Sequence, residues 1–175
     1  MTLWTVWYES WQMECCGTPF AVGDEVALPL MITPREQVGD AAEWEEWFSV
    51  VEGPVRHERG FPVVRGAGGL DAALHGSLRT PPERIALTGL LSVELHTGKW
   101  PRAVGRVTAV RILSRGYAPV APGSTTYSPV PGKRWLRDAD TCPKWFSDES
   151  RERRDDGALV TLAVPGDRPA PERGQ

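Results

Sequence analysis

The segment 85–95 constrains the fold more than any other stretch of this chain. Its odd positions read Ile85, Leu87, Gly89, Leu91, Val93 and Leu95, and its even positions read Ala86, Thr88, Leu90, Ser92 and Glu94. A period of two over eleven residues puts an apolar face against a core and a mostly small or polar face away from it, the pattern of a half-buried strand. Residues 3–10 (LWTVWYES) read as a second strand, rich in aromatic and β-branched side chains. There Trp4, Val6 and Tyr8 share one face and Leu3 and Trp7 the other, so both faces are expected to be covered. Residues 23–32 place Val26, Leu28, Leu30 and Ile32 on one face, with Pro29 opposite. Proline has no backbone donor, which suits an edge strand. Residues 104–113 read as the antiparallel partner of 85–95 across a turn at 98–101, with an alternation slip near Ala109 and Val110 that marks either a bulge or a central strand. Short strands are expected at 61–64 and 125–130, with another starting at Trp135, and a final strand at 158–164.

Helix signals are fewer. Thr33 to Glu36 forms a capping box with Pro34 at the first helical position. Trp44, Trp47, Phe48 and Val51 follow at helical spacing and predict an amphipathic helix over 41–51, ended by Gly53-Pro54. A turn of helix is expected at 71–74, a solvated loop or short helix over the charged run 147–157, and a disordered tail at 165–175. Gly and Pro supply 34 of 175 residues, so the chain is cut into short elements. The fold class expected is mainly β (a β-rich α+β chain). It takes the form of a small partly open barrel, SH3-like or OB-like, with one or two short helices, in a single domain spanning 1–164.

With 41% hydrophobic and 25% charged residues, the composition is not that of a disordered chain. No apolar run approaches the roughly 18 residues of a membrane span, and the start lacks the basic and apolar regions of a secretion signal. A cytoplasmic, soluble protein is therefore expected. Three cysteines, an odd number, fit a reducing compartment and free thiols.

Charge is unevenly spread. Residues 1–60 carry 11 acidic and 3 basic side chains, whereas 95–137 carry eight Lys or Arg and no carboxylate. Trp100, Arg102, Arg106, Arg111, Lys133, Arg134 and Trp135 are the binding candidates in this basic-aromatic stretch. Cations for phosphates interleaved with aromatic platforms for bases suit a single-stranded nucleic acid or another anion. The sequence pI of about 5.7 weighs against a dedicated nucleic-acid binder, and a basic half packing on an acidic half explains the same asymmetry.

The densest constellation is Trp11-Gln12-Met13-Glu14-Cys15-Cys16-Gly17-Thr18-Pro19-Phe20. It resembles the start of an uncharacterised actinobacterial family of unknown function, marked by W-Q-x-x-C-C-G-x-P-F-x-x-G-D-x-V. The resemblance is close over 7–26 and looser over 89–113. It implies no activity, so Trp11, Gln12, Cys15, Cys16 and Gly17 stand as a motif of unknown role. As zinc ligands, Cys15 or Cys16 would need Cys142 and a histidine such as His96, but the C-x-x-C knuckle that marks such sites is missing. A reactive thiol is disfavoured by neighbouring Glu14 and Glu9, since negative charge raises a thiol pKa. The plain reading is a packing role, one cysteine in the core and Gly17 permitting a turn.

No G-x-S-x-G elbow or H-E-x-x-H pair is present, and the glycines at 66–69 lack the lysine of a phosphate loop. The reading is a small non-catalytic binding or accessory module for an unknown protein or small ligand, with no predicted cofactor. The alternatives are nucleic-acid or anion binding through 95–137, and a thiol- or zinc-dependent protein built on Cys15 and Cys16.

Overall fold

The computed structural model describes residues 1–76 and 80–166, so most of the expected tail at 165–175 lies outside the described residues. In chain order the elements begin with β1 (Thr2–Glu9), α1 (Ser10–Cys16), which is the one α-helix among the described residues, β2 (Phe20–Ala21), β3 (Glu25–Leu28) and β4 (Leu30–Pro34). There follow β5 (Ser49–Glu58), β6 (Phe61–Arg65), β7 (Asp71–Leu74), β8 (Arg84–Val93) and β9 (Ala103–Pro119). The chain closes with β10 (Tyr127–Ala139), β11 (Thr141–Cys142), β12 (Asp148–Ser150) and β13 (Arg153–Val164). The fold is mainly β, with 58% of the described residues in strands.

One sheet runs in the order β10-β9-β13-β1-β8-β4-β7-β6-β5, with β3 on β9 and β12 on β13, and β5 returns to pair with β8. That last pairing closes β8, β4, β7, β6 and β5 into a five-stranded barrel, a complete ring where a partly open one was expected. Closure is made by β5 itself. Its first half, Ser49 to Pro54, pairs with β8, and its second half, Val55 to Glu58, pairs with β6. At the changeover stands Gly53, where the Arg65 carbonyl occupies the space a Cβ would need.

The main core gathers Trp4, Val6 and Tyr8 of β1 with Leu30, Ile32, Val51, Val64, Leu91, Val160 and Leu162, all buried. Trp7 points the other way, onto a second cluster with Trp44, Trp47, Leu90, Leu113 and Leu159. The second face of β1 is therefore covered at Trp7, whereas Leu3 on that same face is exposed, so the expected cover is only partial. The slip near Ala109 is a bulge. Thr161 pairs with Ala109 and Leu162 with Val107, so Thr108 is the extra residue.

Four expectations need correction. The helix over 41–51 is two 3-10 turns, Ala41–Glu43 and Glu45–Trp47, followed directly by β5. Asp40 enters in the left-handed conformation at φ 52°, and Trp44 and Trp47 cap the outer face of the sheet. Pairing of Ser49 with Gly89 then pulls the rest of the segment into the barrel. Second, β8 and β9 are not a hairpin. Between them Trp100 is buried, its indole N–H donating to the Leu30 carbonyl at 2.7 Å, and β9 crosses to β13 and β10. Third, residues 71–74 form a fully buried strand, where a helical turn was expected. Fourth, the charged run 147–157 is strand on both sides of a turn, with Asp155 and Asp156 buried. Pro29, read as an edge marker, separates edge strand β3 from interior strand β4.

Candidate functional site

The W-Q-x-x-C-C-G segment is helix α1 and its exit, and the sequence alternates between holding the helix down and presenting it. Gln12 and Met13 are buried; Trp11, Cys15 and Cys16 are exposed. From the buried side the Gln12 amide oxygen accepts hydrogen bonds from the backbone N–H groups of Leu95 at 2.8 Å and His96 at 3.2 Å. A side chain 84 residues away in sequence thus fixes where His96 stands. Trp11, one residue earlier, meets the His96 ring edge-on with centroids 5.9 Å apart. Replacing Gln12 with alanine strands two backbone donors in a partly buried setting and is expected to cost about 2 kcal/mol. The urea midpoint measures the loss, and Gln12→Glu, which keeps an acceptor, is expected to recover most of it.

The helix end is fixed just as firmly. The Lys144 ammonium donates to the carbonyls of Met13 at 2.7 Å and Gly17 at 3.1 Å, adding to the Gly17 N–H that already closes the last turn on Met13. Gly17 lies so close to the Tyr8 hydroxyl and the Met13 sulfur that no side chain fits there. Burial pushes the Tyr8 phenol well above the usual range; nearby Cys142 adds to the shift and Arg102 opposes it.

At the helix C-terminus Cys15 and Cys16 are joined as a disulfide between consecutive residues, with Cα atoms 3.8 Å apart. The expectation of three free thiols therefore holds for Cys142 alone, and neither residue of the pair packs in the core. Cys142 does. It is fully buried on β11 opposite Phe20, and burial pushes its thiol up to about 12. The sulfurs of Cys15 and Cys16 and a ring nitrogen of His96 all lie within 4.8 Å of one another. Beside them opens a groove of about 400 Å³, whose walls include Tyr8, Cys16, Thr18, Phe20, Leu28 and Arg102.

A family model described as a family of unknown function (DUF6578) matches residues 2–164. The chain belongs to this family. The match takes in every element from β1 to β13, so the α1 motif and its partners His96 and Lys144 all fall inside the DUF6578 region. No match is found among the curated proteins or the solved structures.

The basic-aromatic candidates are dispersed by the fold. Trp100 is buried and offers no platform, and Tyr117 is buried with its hydroxyl donating to Asp156 at 2.6 Å. Arg134 pairs with Glu46 at 2.7 Å and lies over the Trp47 ring. Trp135 is exposed, but the Arg153 guanidinium stacks on it at 4.1 Å. Arg102 and Arg106 donate to the carbonyls of Ala27 and Gly23. Lys133 and Arg111 make no ion pair among the described residues. Arg115 and Arg137 meet buried carboxylates. Arg137 holds Asp155 in a bidentate pair at 2.7 and 2.9 Å, and Arg115 holds Asp156.

The motif marked the two cysteines. It did not mark their partners. Nothing in the local sequence distinguishes His96 from a solvated histidine, and Lys144 sits in a segment with no pattern of its own. The one usable signal was Gln12, a polar residue at a buried position of an amphipathic turn, which must find a partner somewhere.

Proposed function

We propose that this chain is a non-catalytic binding module whose working site is the Cys15–Cys16 pair, cycling between disulfide and dithiol at the rim of the 400 Å³ groove. The observation that carries this reading is the division of labour in the motif. Gln12, Met13, Gly17 and Lys144 fix the helix end, and the helix residues left exposed are Trp11, Cys15 and Cys16. A packing motif would bury its cysteines. Reduction consumes two electrons and two protons and yields two thiols, and two molecules of a small cellular thiol supply them while being joined in their own disulfide. The W-Q-x-x-C-C-G segment is, in this reading, the actinobacterial signature of the family. An Arg to Lys ratio of 17 to 3, as GC-rich coding sequence produces, supports that origin. The continuous eleven-stranded sheet supports residues 1–164 acting as one domain.

Equilibration in mixtures of reduced and oxidised dithiothreitol tests the couple. A single two-electron transition is expected, moving about 30 mV per tenfold change in the ratio of the two forms. It is expected to vanish in Cys15→Ser or Cys16→Ser and to persist unchanged in Cys142→Ala. A dithiol that stays reduced at every ratio contradicts the reading.

A further inference from the structure

We infer that the reduced pair and His96 together hold one zinc-class cation, a borderline-soft closed-shell ion, with its fourth coordination position left open. The inference rests on the reading of Cys15–Cys16 as a reducible pair and adds a ligand to it. Tetrahedral zinc, with Zn–S near 2.3 Å and Zn–N near 2.0 Å, sets its ligand atoms about 3.5 to 4 Å apart. In the oxidised form the two sulfurs are bonded to each other and a His96 ring nitrogen lies within 4.8 Å of both, so reduction, which lets the sulfurs part, makes room for the ion. All three residues are exposed, so their side chains are free to turn toward a shared ion once the disulfide is broken.

The donor set decides the class of ion. Two thiolates and an imidazole suit a thiophilic cation and exclude calcium and magnesium, which take oxygen ligands. Two thiolate charges also balance a divalent ion. The placement is built, since His96 is fixed through its own backbone N–H by Gln12, from the same helix that carries both cysteines. Cys142, the fourth ligand expected from sequence, is sealed in the core and cannot join. Three protein ligands with an open position is how exchangeable and catalytic zinc sites are made, whereas structural sites close with four. Disulfide and metal compete for the same two sulfurs, so oxidation of the pair releases the ion.

The full-length protein, reduced and freed of reductant without air, is titrated with Co²⁺ as a coloured stand-in and then with Zn²⁺ against a chromophoric chelator. One Co²⁺ per chain is expected, with an intense near-ultraviolet sulfur-to-cobalt charge-transfer band that Zn²⁺ removes. Prior oxidation to the disulfide is expected to abolish the band. His96→Ala, at an exposed position, is expected to weaken Zn²⁺ binding roughly tenfold or more, and Cys142→Ala to leave it unchanged. Absence of the charge-transfer band in protein whose two exposed thiols react with a thiol reagent overturns the inference, as does undiminished affinity in folded His96→Ala. A pair that never oxidises defeats the redox reading alone, because the Co²⁺ titration of the dithiol still decides the metal.

Discussion

Asp155→Ala is expected to lower stability by about 3 kcal/mol and to flatten its dependence on acid. The carboxylate is buried on β13, accepts a hydrogen bond from Ser114 at 2.6 Å and takes both arms of the Arg137 guanidinium. Removing one member of a buried pair leaves polar groups that were desolvated for it without partners, which is where the cost arises. Ser114 is one such group, itself buried. Arg137 is half exposed and returns to water, which keeps the figure at the lower end of the range for a broken buried pair. Burial by itself would raise the Asp155 pKa, but the hydrogen bonds from Arg137 and Ser114 and the Arg137 charge outweigh it and hold the carboxyl below its usual value. A depressed carboxylate stabilises the fold fully above the unfolded-state pKa near 4, and that stabilisation is lost as pH falls through the lower folded value. Urea denaturation from pH 7 down to pH 2 measures both effects. Wild-type stability falls across the acid range, and the Asp155→Ala curve is expected to fall less steeply from a lower start. Parallel curves would show that Asp155 is not the group responsible.

The second large effect is at the barrel seam. Gly53→Ala is expected to cost about 3 kcal/mol or to prevent folding, because the new methyl group meets the Arg65 carbonyl, which is backbone and has no rotamer by which to move aside. Relief requires β5 and β6 to separate, and that opens the ring β5 closes onto β8. Gly39→Ala is the control. It has nothing within 4 Å of the added atom and no positive φ, so a change within about 0.5 kcal/mol is expected there. Equal effects at the two glycines would show that chain entropy, and not the close approach, sets the cost.

Legibility in the sequence followed the range of the interactions. Strands whose partners impose a strict two-residue period, β1 and β8, announce themselves, because one face meets core along their whole length. The Trp44, Trp47, Phe48 and Val51 spacing fits a helix equally well, and what breaks it is external. The two tryptophans must reach Trp7 and Leu113, and Val51 belongs to a strand that pairs with β8. Asp155 and Asp156 look solvated for a similar reason. The groups that make their burial tolerable, Arg137, Arg115 and Tyr117, stand 18 to 41 residues upstream. The β8–β9 pairing is not legible because adjacency in sequence is not adjacency in space here, and the buried Trp100 anchors a crossing. At the candidate site the cysteines were visible as a motif. Their exposure and the histidine beside them depend on Gln12 reaching across 84 residues, which no local pattern encodes.

The central claim is that Cys15 and Cys16 form an exposed reversible couple while Cys142 is inert. Differential alkylation read by mass spectrometry addresses it directly, on native protein first treated with oxidised glutathione or with dithiothreitol. The account predicts no adduct in the oxidised sample, two adducts on the Cys15–Cys16 peptide in the reduced one, and a third, on Cys142, only after unfolding. Two adducts at Cys15 and Cys16 in both samples, or labelling of Cys142 in the native protein, would contradict it.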